Sequence, residues 1–403
     1  MSQELKFLAD SNLRNYMDNV TEEIEHSSQE KTSAYLWIGI VALVYLLIVA
    51  VGIISYGFKS VAGDRAQELF QFATNPLAGL IVGTLTTALI QSSSTVTSVI
   101  VGLVAGGLPV TVAVPMVMGA NIGTTITNTL VSLGHIRNQE EFKSAFAAAT
   151  IHDFFNLTCV LIFLPLEIAT HFLEKFASFF ANLFVNSFST SLNGFDVIQV
   201  ATAPVANLLK AATEVFPHPF DGLVLIAIAL VLIFVSILYM GKLLRLAIVG
   251  QAKILLRSAI GRGSAMGILS GMLVTILVQS SSTTTSLIVP LVGTGLLALE
   301  EAYPFTLGAN IGTCVTALIA ATAVVDNHLA ALEIAMVHLF FNVTGVTLIY
   351  GTPFLRNLPI LAAQTLAQIA SQRKYIAFAY IFSVFFLIPA ILLGVTSTRS
   401  RLL

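Results

Sequence analysis

Between residues 69 and 134 the chain has no Asp, Glu, Lys or Arg, and inside that stretch stands QSSSTVTS, residues 91 to 98. A second uncharged block, residues 263 to 299, contains QSSSTTTS at 279 to 286. The first block is far longer than the ~20 residues that span a bilayer once, and Pro76, Pro109, Pro115 and several glycines interrupt it. An unsatisfied polar group is costly in hydrocarbon, so the hydroxyls and carboxamide of each cluster must face protein, water or a ligand.

Composition places these blocks in a membrane. The chain is 56% hydrophobic and 10% charged, with a net charge of -2, where a soluble domain carries roughly a quarter charged residues. Uncharged runs at 34–57, 222–240 and 375–397 are of spanning length. The fold expected is an all-α, multi-pass membrane protein, with membrane lipid around it and no nucleic acid partner. Residues 1–33 are polar, lack the apolar core of a signal peptide, and read as a cytosolic arm. With that arm inside, the positive-inside rule puts Arg137, Lys143, Lys242, Arg245, Lys253, Arg257 and Arg262 on cytosolic loops. The 170–220 loop then lies outside; Arg399 and Arg401 leave the side of the C-terminus open. Cys159 and Cys314 lie in apolar segments and read as packing residues.

The two blocks belong to an internal repeat. Gln91 corresponds to Gln279, an offset of 188; GANIGTTITNT from Gly119 corresponds to GANIGTCVTAL from Gly308, an offset of 189; and HDFFN from His152 corresponds to HLFFN from His338, an offset of 186. Gly79 and Gly83 precede the first cluster as Gly267 and Gly271 precede the second, and read as small-residue positions at which the arms of a hairpin pack closely. The halves run 34–169 and 221–352, with 170–220 between them and a C-terminal region of 353–403. If 34–57 and 222–240 each lead one half, the halves begin on opposite membrane faces, an inverted-topology repeat.

Segments of about 15 apolar residues flank each cluster, short for a crossing. They predict re-entrant hairpins over about 75–108 and 262–298, with second arms starting at Ser94–Thr95 and Ser282–Thr283. Helix N-termini there, with hydroxyls around them, favour an anion. The anion candidates are Gln91, Ser92, Ser93, Ser94, Thr95, Gln279, Ser280, Ser281, Ser282 and Thr283. GANIGT is expected to unwind a helix in each half and expose oxygen ligands for a small hard cation such as sodium. Its candidates are Asn121, Thr124, Asn310, Thr313 and Thr316; Thr127 shares a face with Thr124 as Thr316 does with Thr313. His152 and His338 read as interhelical hydrogen bonders. Asp153, whose counterpart is Leu339, is an intramembrane carboxylate and so a functional candidate. Asn156-Leu157-Thr158 and Asn342-Val343-Thr344 fit a glycosylation pattern but lie in apolar spans.

Paired QSSS clusters, each followed by a GANIGT stretch, with AAATIHDFFN and LPLE (164 to 167) closing the first half, resemble the type II sodium-dependent phosphate cotransporters over roughly residues 34–397. The resemblance implies a cell-membrane symporter, not an enzyme, that imports inorganic phosphate with sodium and needs no cofactor beyond the co-transported ion. It implies a phosphate and cation site at the two clusters, with sodium positions at Asp153, Asn156, Thr313 and Thr316; Asn342 joins them as the repeat partner of Asn156. An aspartate after the motif histidine is the pattern of electrogenic members. Three sodium ions would balance divalent phosphate plus ionised Asp153. This chain lacks the long disulfide-closed loop of animal members and has Ala309 where they commonly have serine, which fits a compact bacterial-type member. The residues themselves leave another oxyanion, sulfate or a dicarboxylate, as an alternative substrate. A remoter alternative is an intramembrane serine hydrolase built on Ser94, His152 and Asp153, against which stands the lack of a G-x-S-x-G elbow. Oligomeric state is not legible here.

Overall fold

In hydrocarbon a helix satisfies every backbone N–H and C=O within its own segment, and long uncharged runs adopt it for that reason. The computed structural model describes residues 35–61, 75–189, 194–259, 263–324, 327–392 and 394, and these contain helices and no strand. The arm 1–33 and the tail 395–403 lie outside the described residues.

The first half comprises α1 (Tyr35–Val61), α2 (Pro76–Ile90), α3 (Ser93–Ala105), α4 (Val110–Gly123), α5 (Ile126–Ser132) and α6 (Gln139–Thr170). Two helices join the halves, α7 (Phe172–Ser189) and α8 (Gly194–Thr213). The second half comprises α9 (Phe220–Ala259), α10 (Ser264–Val278), α11 (Ser281–Ser286), α12 (Ile288–Gly293), α13 (Leu299–Thr322) and α14 (His328–Gly345). Then come α15 (Pro353–Gln372) and α16 (Tyr375–Phe382), the latter running on through a π-helical turn at Ser383–Leu387. Among the described residues seven segments are long and apolar enough to cross a membrane, which makes this a multi-pass membrane protein. The segment Val110–His135 is 83% buried across its most apolar window and Tyr375–Leu392 only 22%, so the motif-bearing helices are central and the last one peripheral.

The 170–220 stretch, expected as a loop, is mostly helix. Phe172, Phe176 and Phe180 recur every fourth residue, so they share one face of α7. They stack along it, and Phe176 and Phe180 reach Phe340 of α14 at ring separations of 4.6 and 5.1 Å. The Glu167 carboxylate caps α7, accepting from the Leu173 and Glu174 amides at 2.7 and 3.2 Å.

The repeat is present in the backbone. Gln91 and Gln279 both end a helix in the left-handed region, at φ 56° and 53°, and Ser92 and Ser280 both cap the next one. The second arms therefore begin at Ser93 and Ser281, one residue earlier than expected, because the preceding serine is the cap. Helix α2 lies on α4 as α10 lies on α13. A Cβ at Gly83 would sit 2.0 Å from the Met116 carbonyl oxygen, and one at Gly119 1.9 Å from that of Leu80. The repeat mates give the same picture, Gly271 against Phe305 and Gly308 against Ile268, both at 1.9 Å. Glycine is required here because backbone meets backbone.

The expected unwinding at GANIGT occurs in the first half only. There α4 stops at Gly123 and α5 starts at Ile126, whereas α13 runs unbroken from Leu299 to Thr322. The next residue explains the difference. The Thr125 amide and hydroxyl both bond the Ile122 carbonyl three residues back, at 3.4 and 2.8 Å, tightening the turn. At the equivalent place Cys314 leans on the Asn310 carbonyl four residues back, an α-helical spacing.

Candidate functional site

The two clusters meet. A cleft of about 310 Å³ is lined by Gln91, Ser92, Thr95 and Thr127 from the first half and by Gln279, Ser280, Ser282, Thr283 and Ser286 from the second. Ile90 and the α9 residues Phe234, Ile237, Leu238 and Gly241 complete its wall, and no charged side chain lines it. Sequence reasoning placed Thr127 on the face of the cation stretch rather than beside the clusters, and missed Ser286 and the α9 wall. Thr127 carried a signal, its three-residue spacing from Thr124; the α9 residues are ordinary apolar letters with none.

Each cluster is shaped by its own helix end. The Ser92 hydroxyl accepts from the Thr95 amide at 3.3 Å and lies 2.8 Å from the Thr95 hydroxyl. The Ser280 hydroxyl accepts from the Thr283 amide at 3.2 Å and donates to the Thr283 hydroxyl at 2.9 Å. One turn on, Thr97 and Ser98 donate to the Ser93 and Ser94 carbonyls, and Thr285 and Ser286 to those of Ser281 and Ser282. Ser93, Ser94 and Ser281 are buried and do not line the cleft.

The halves differ at one contact. Thr316 donates to the Gln279 side-chain oxygen at 2.8 Å, and the Gln279 amide donates to the Ile276 carbonyl at 2.7 Å. Their counterparts, Thr127 and Gln91, are not joined: the Thr127 hydroxyl is buried without a partner. Thr124 and Thr313 both donate to the carbonyl four residues back, at 2.9 and 3.0 Å, leaving their lone pairs unused.

Behind the cleft the motif asparagines and histidines tie the halves together. His152 Nε2 meets Asn310 Oδ1 at 2.6 Å, and His338 Nε2 meets Asn121 Oδ1 at 3.1 Å, so each half's histidine binds the other half's asparagine. The Asn121 amide donates to Asn342 Oδ1, and the Asn310 amide to Asn156 Oδ1, both at 2.8 Å. Asn156 also donates to the Asn121 carbonyl at 2.9 Å, and Asn342 to the His338 carbonyl at the same distance. The four asparagines are thus engaged with one another, and Asn156 and Asn342 are too buried to carry a glycan. Cys159 and Cys314 are buried free thiols.

Asp153 is 1% exposed and does not line the cleft. Its Oδ2 accepts from the Tyr380 hydroxyl at 2.9 Å, while Oδ1 is buried without a partner. Since His152 bonds Asn310 and Asp153 bonds Tyr380, neither is joined to Ser94, and the hydrolase triad does not assemble.

Seven candidate spans among the described residues, with an uncharged cleft on which residues of two duplicated hydroxyl clusters converge, fit a helical membrane protein of the transporter class. The chain belongs to the Na+/Pi-cotransporter family, whose model matches residues 46–187 and 232–396. It is similar to sodium-dependent phosphate transport protein 2B of Homo sapiens, 32% identical over 90% of this chain and 66% of the relative. It is also similar to protein 2A of Ovis aries, 34% identical over 89% of this chain and 67% of the relative. The chain spans about two thirds of the length of these curated relatives. No solved structure matches it significantly.

Proposed function

We propose that this chain imports inorganic phosphate together with sodium ions by alternating access, with no chemical conversion of the substrate. The observation that carries this reading is the shared cleft: residues of both QSSST clusters, one from each half, line one space that holds no fixed charge. Hydroxyls and amides there can donate to a tetrahedral oxyanion, and the N-terminus of α3 adds a favourable dipole. With no Lys or Arg to neutralise the anion, co-bound cations must do so, which couples anion entry to sodium. The relatives' names, sodium-dependent phosphate transport proteins 2B and 2A, agree with this substrate pair.

In this reading the two halves enter a cell membrane with opposite orientation, the N-terminus is cytosolic, and the α2–α3 and α10–α11 turns reach the midplane as re-entrant tips. Gln91, Ser92, Thr95, Gln279, Ser280, Ser282 and Thr283 contact phosphate, with Ser93, Ser94 and Ser281 supporting them from behind. Sodium takes the hydroxyl oxygens of Thr124, Thr313 and Thr316 and the carboxylate of Asp153. Asn121, Asn156, Asn310 and Asn342 form the frame that holds these oxygens.

Labelled-phosphate uptake into proteoliposomes tests the reading. Uptake is expected with an inward sodium gradient and not when choline replaces sodium; sodium-independent uptake would sink it, and stronger competition by sulfate or a dicarboxylate than by phosphate would change the substrate. Ser282→Ala and Thr95→Val, one in each half, are each expected to raise the phosphate concentration for half-maximal uptake about tenfold, the loss of one hydrogen bond to a charged group. If only one half's substitutions matter, the shared site is wrong. Thr316→Val is expected to raise the half-saturating sodium concentration by about tenfold and to leave phosphate dependence at saturating sodium near that of the parent. The reverse pattern would remove Thr316 from the cation site.

A further inference from the structure

We propose that Tyr380, on a helix outside both repeats, is the positioning residue for the charge-carrying carboxylate of Asp153. The proposal rests on the reading of Asp153 as a sodium ligand. Three observations carry it. The Tyr380 hydroxyl donates to Asp153 Oδ2 at 2.9 Å, across 227 residues of chain. Asp153 Oδ1 is buried and has no donor at all. Beside the carboxylate lies the Thr125 hydroxyl, whose only proton is already given to the Ile122 carbonyl at 2.8 Å.

The Thr125 hydroxyl therefore has one proton for two acceptors, the Ile122 carbonyl and the Asp153 carboxylate, and while it serves the carbonyl the carboxylate keeps an oxygen with no donor. Burying an anionic oxygen without a donor is costly, and a small hard cation relieves that cost by accepting lone pairs of the carboxylate and the hydroxyl. The tyrosine bond to Oδ2 restrains the carboxylate and leaves Oδ1 as the oxygen without a donor. The tyrosine ring is itself held, at 6.2 Å from the rings of both Phe146 and Phe154 and 6.5 Å from Phe385. The break between α4 and α5 brings Thr125 to this spot. Neither feature is duplicated: Leu339 stands where the second half would have an aspartate, and Cys314 where it would have Thr125. Tyr380 thus serves an asymmetric element of a largely repeated machine.

The test uses the full chain in proteoliposomes, with Tyr380→Phe, Asp153→Gly and the double variant. Tyr380→Phe keeps the ring contacts and is expected to unfold in detergent at the parent's temperature. It should raise the half-saturating sodium concentration about tenfold, with phosphate dependence at saturating sodium unchanged and uptake still sensitive to membrane potential. In the Asp153→Gly background the same substitution should do nothing further, a null that a purely packing role for Tyr380 does not give. An unchanged sodium dependence in Tyr380→Phe, or an equal loss with and without Asp153, overturns the positioning role. Persistent voltage sensitivity in Asp153→Gly alone is a different failure: it removes the reading of Asp153, and this proposal goes with it.

Discussion

Asp153→Gly is expected to leave phosphate uptake that depends on sodium and no longer responds to membrane potential. Asp153 is a carboxylate near the middle of the apolar span Gln139–Thr170, and Leu339 occupies the matching place in the second half. It lies in the central part of α6, 1% exposed, with one oxygen held by Tyr380 and the other unpartnered. An intramembrane carboxylate that binds a cation on one face and releases it on the other moves charge through the field. Each elementary charge moved gains about 2.3 kcal/mol per 100 mV, a bias of nearly 50-fold at that potential. On the proposed reading of Asp153 as a sodium ligand, removing the carboxylate removes one sodium ion and that bias together. The measurement is uptake under potassium gradients with valinomycin, parent against variant. Equal voltage dependence in the two would show that the charge is carried elsewhere.

Gly119→Val and Gly308→Val are expected to prevent recovery of a folded, monodisperse protein. A Cβ at either glycine would lie 1.9 Å from a backbone carbonyl oxygen of the facing helix, Leu80 or Ile268. No side chain can rotate away to make room, so the helix pair must separate. The cost exceeds the roughly 1–3 kcal/mol of ordinary overpacking. The displacement would also pull Asn121 and Asn310, two residues on, out of their bonds to the opposite half. Gly134→Val provides the control, because nothing lies within 4 Å of a Cβ there. Size-exclusion profiles and thermal unfolding in detergent separate the cases; if Gly119→Val behaves like Gly134→Val, the close α2–α4 approach is wrong.

Much of the site was legible because the repeat writes it twice. Gln91 and Gln279 sit 188 residues apart in matching letters, and the backbone gives them matching left-handed conformations. The paired glycines announced close helix contacts but not the partner: Gly83 and Gly271 meet the GANIGT helices at Met116 and Phe305, not the other arm of their own hairpin. The roles of the asparagines were harder to read. A polar residue in an apolar helix signals that a partner exists but not which one, and here Asn121, Asn156, Asn310 and Asn342 bond largely to one another and to the histidines. GANIGT misled in the second half, since the residue after the motif, Thr125 or Cys314, decides whether the turn tightens.

Sequence by itself determined that this chain is a multi-pass helical membrane protein with duplicated polar clusters and an unmatched carboxylate at Asp153. Those properties depend on composition, length and order, which need no knowledge of what folds against what. Tertiary structure alone decided that the two clusters share one cleft, that α9 walls it, that each half's histidine binds the other half's asparagine, and that Tyr380 reaches Asp153. These are contacts between segments up to 227 residues apart. Among lipid-soluble helices, packing is chosen by shape and by a few polar bonds rather than by hydrophobicity. An apolar residue such as Ile237, or a tyrosine near the end of the chain, carries no mark of its neighbour until the helices are assembled.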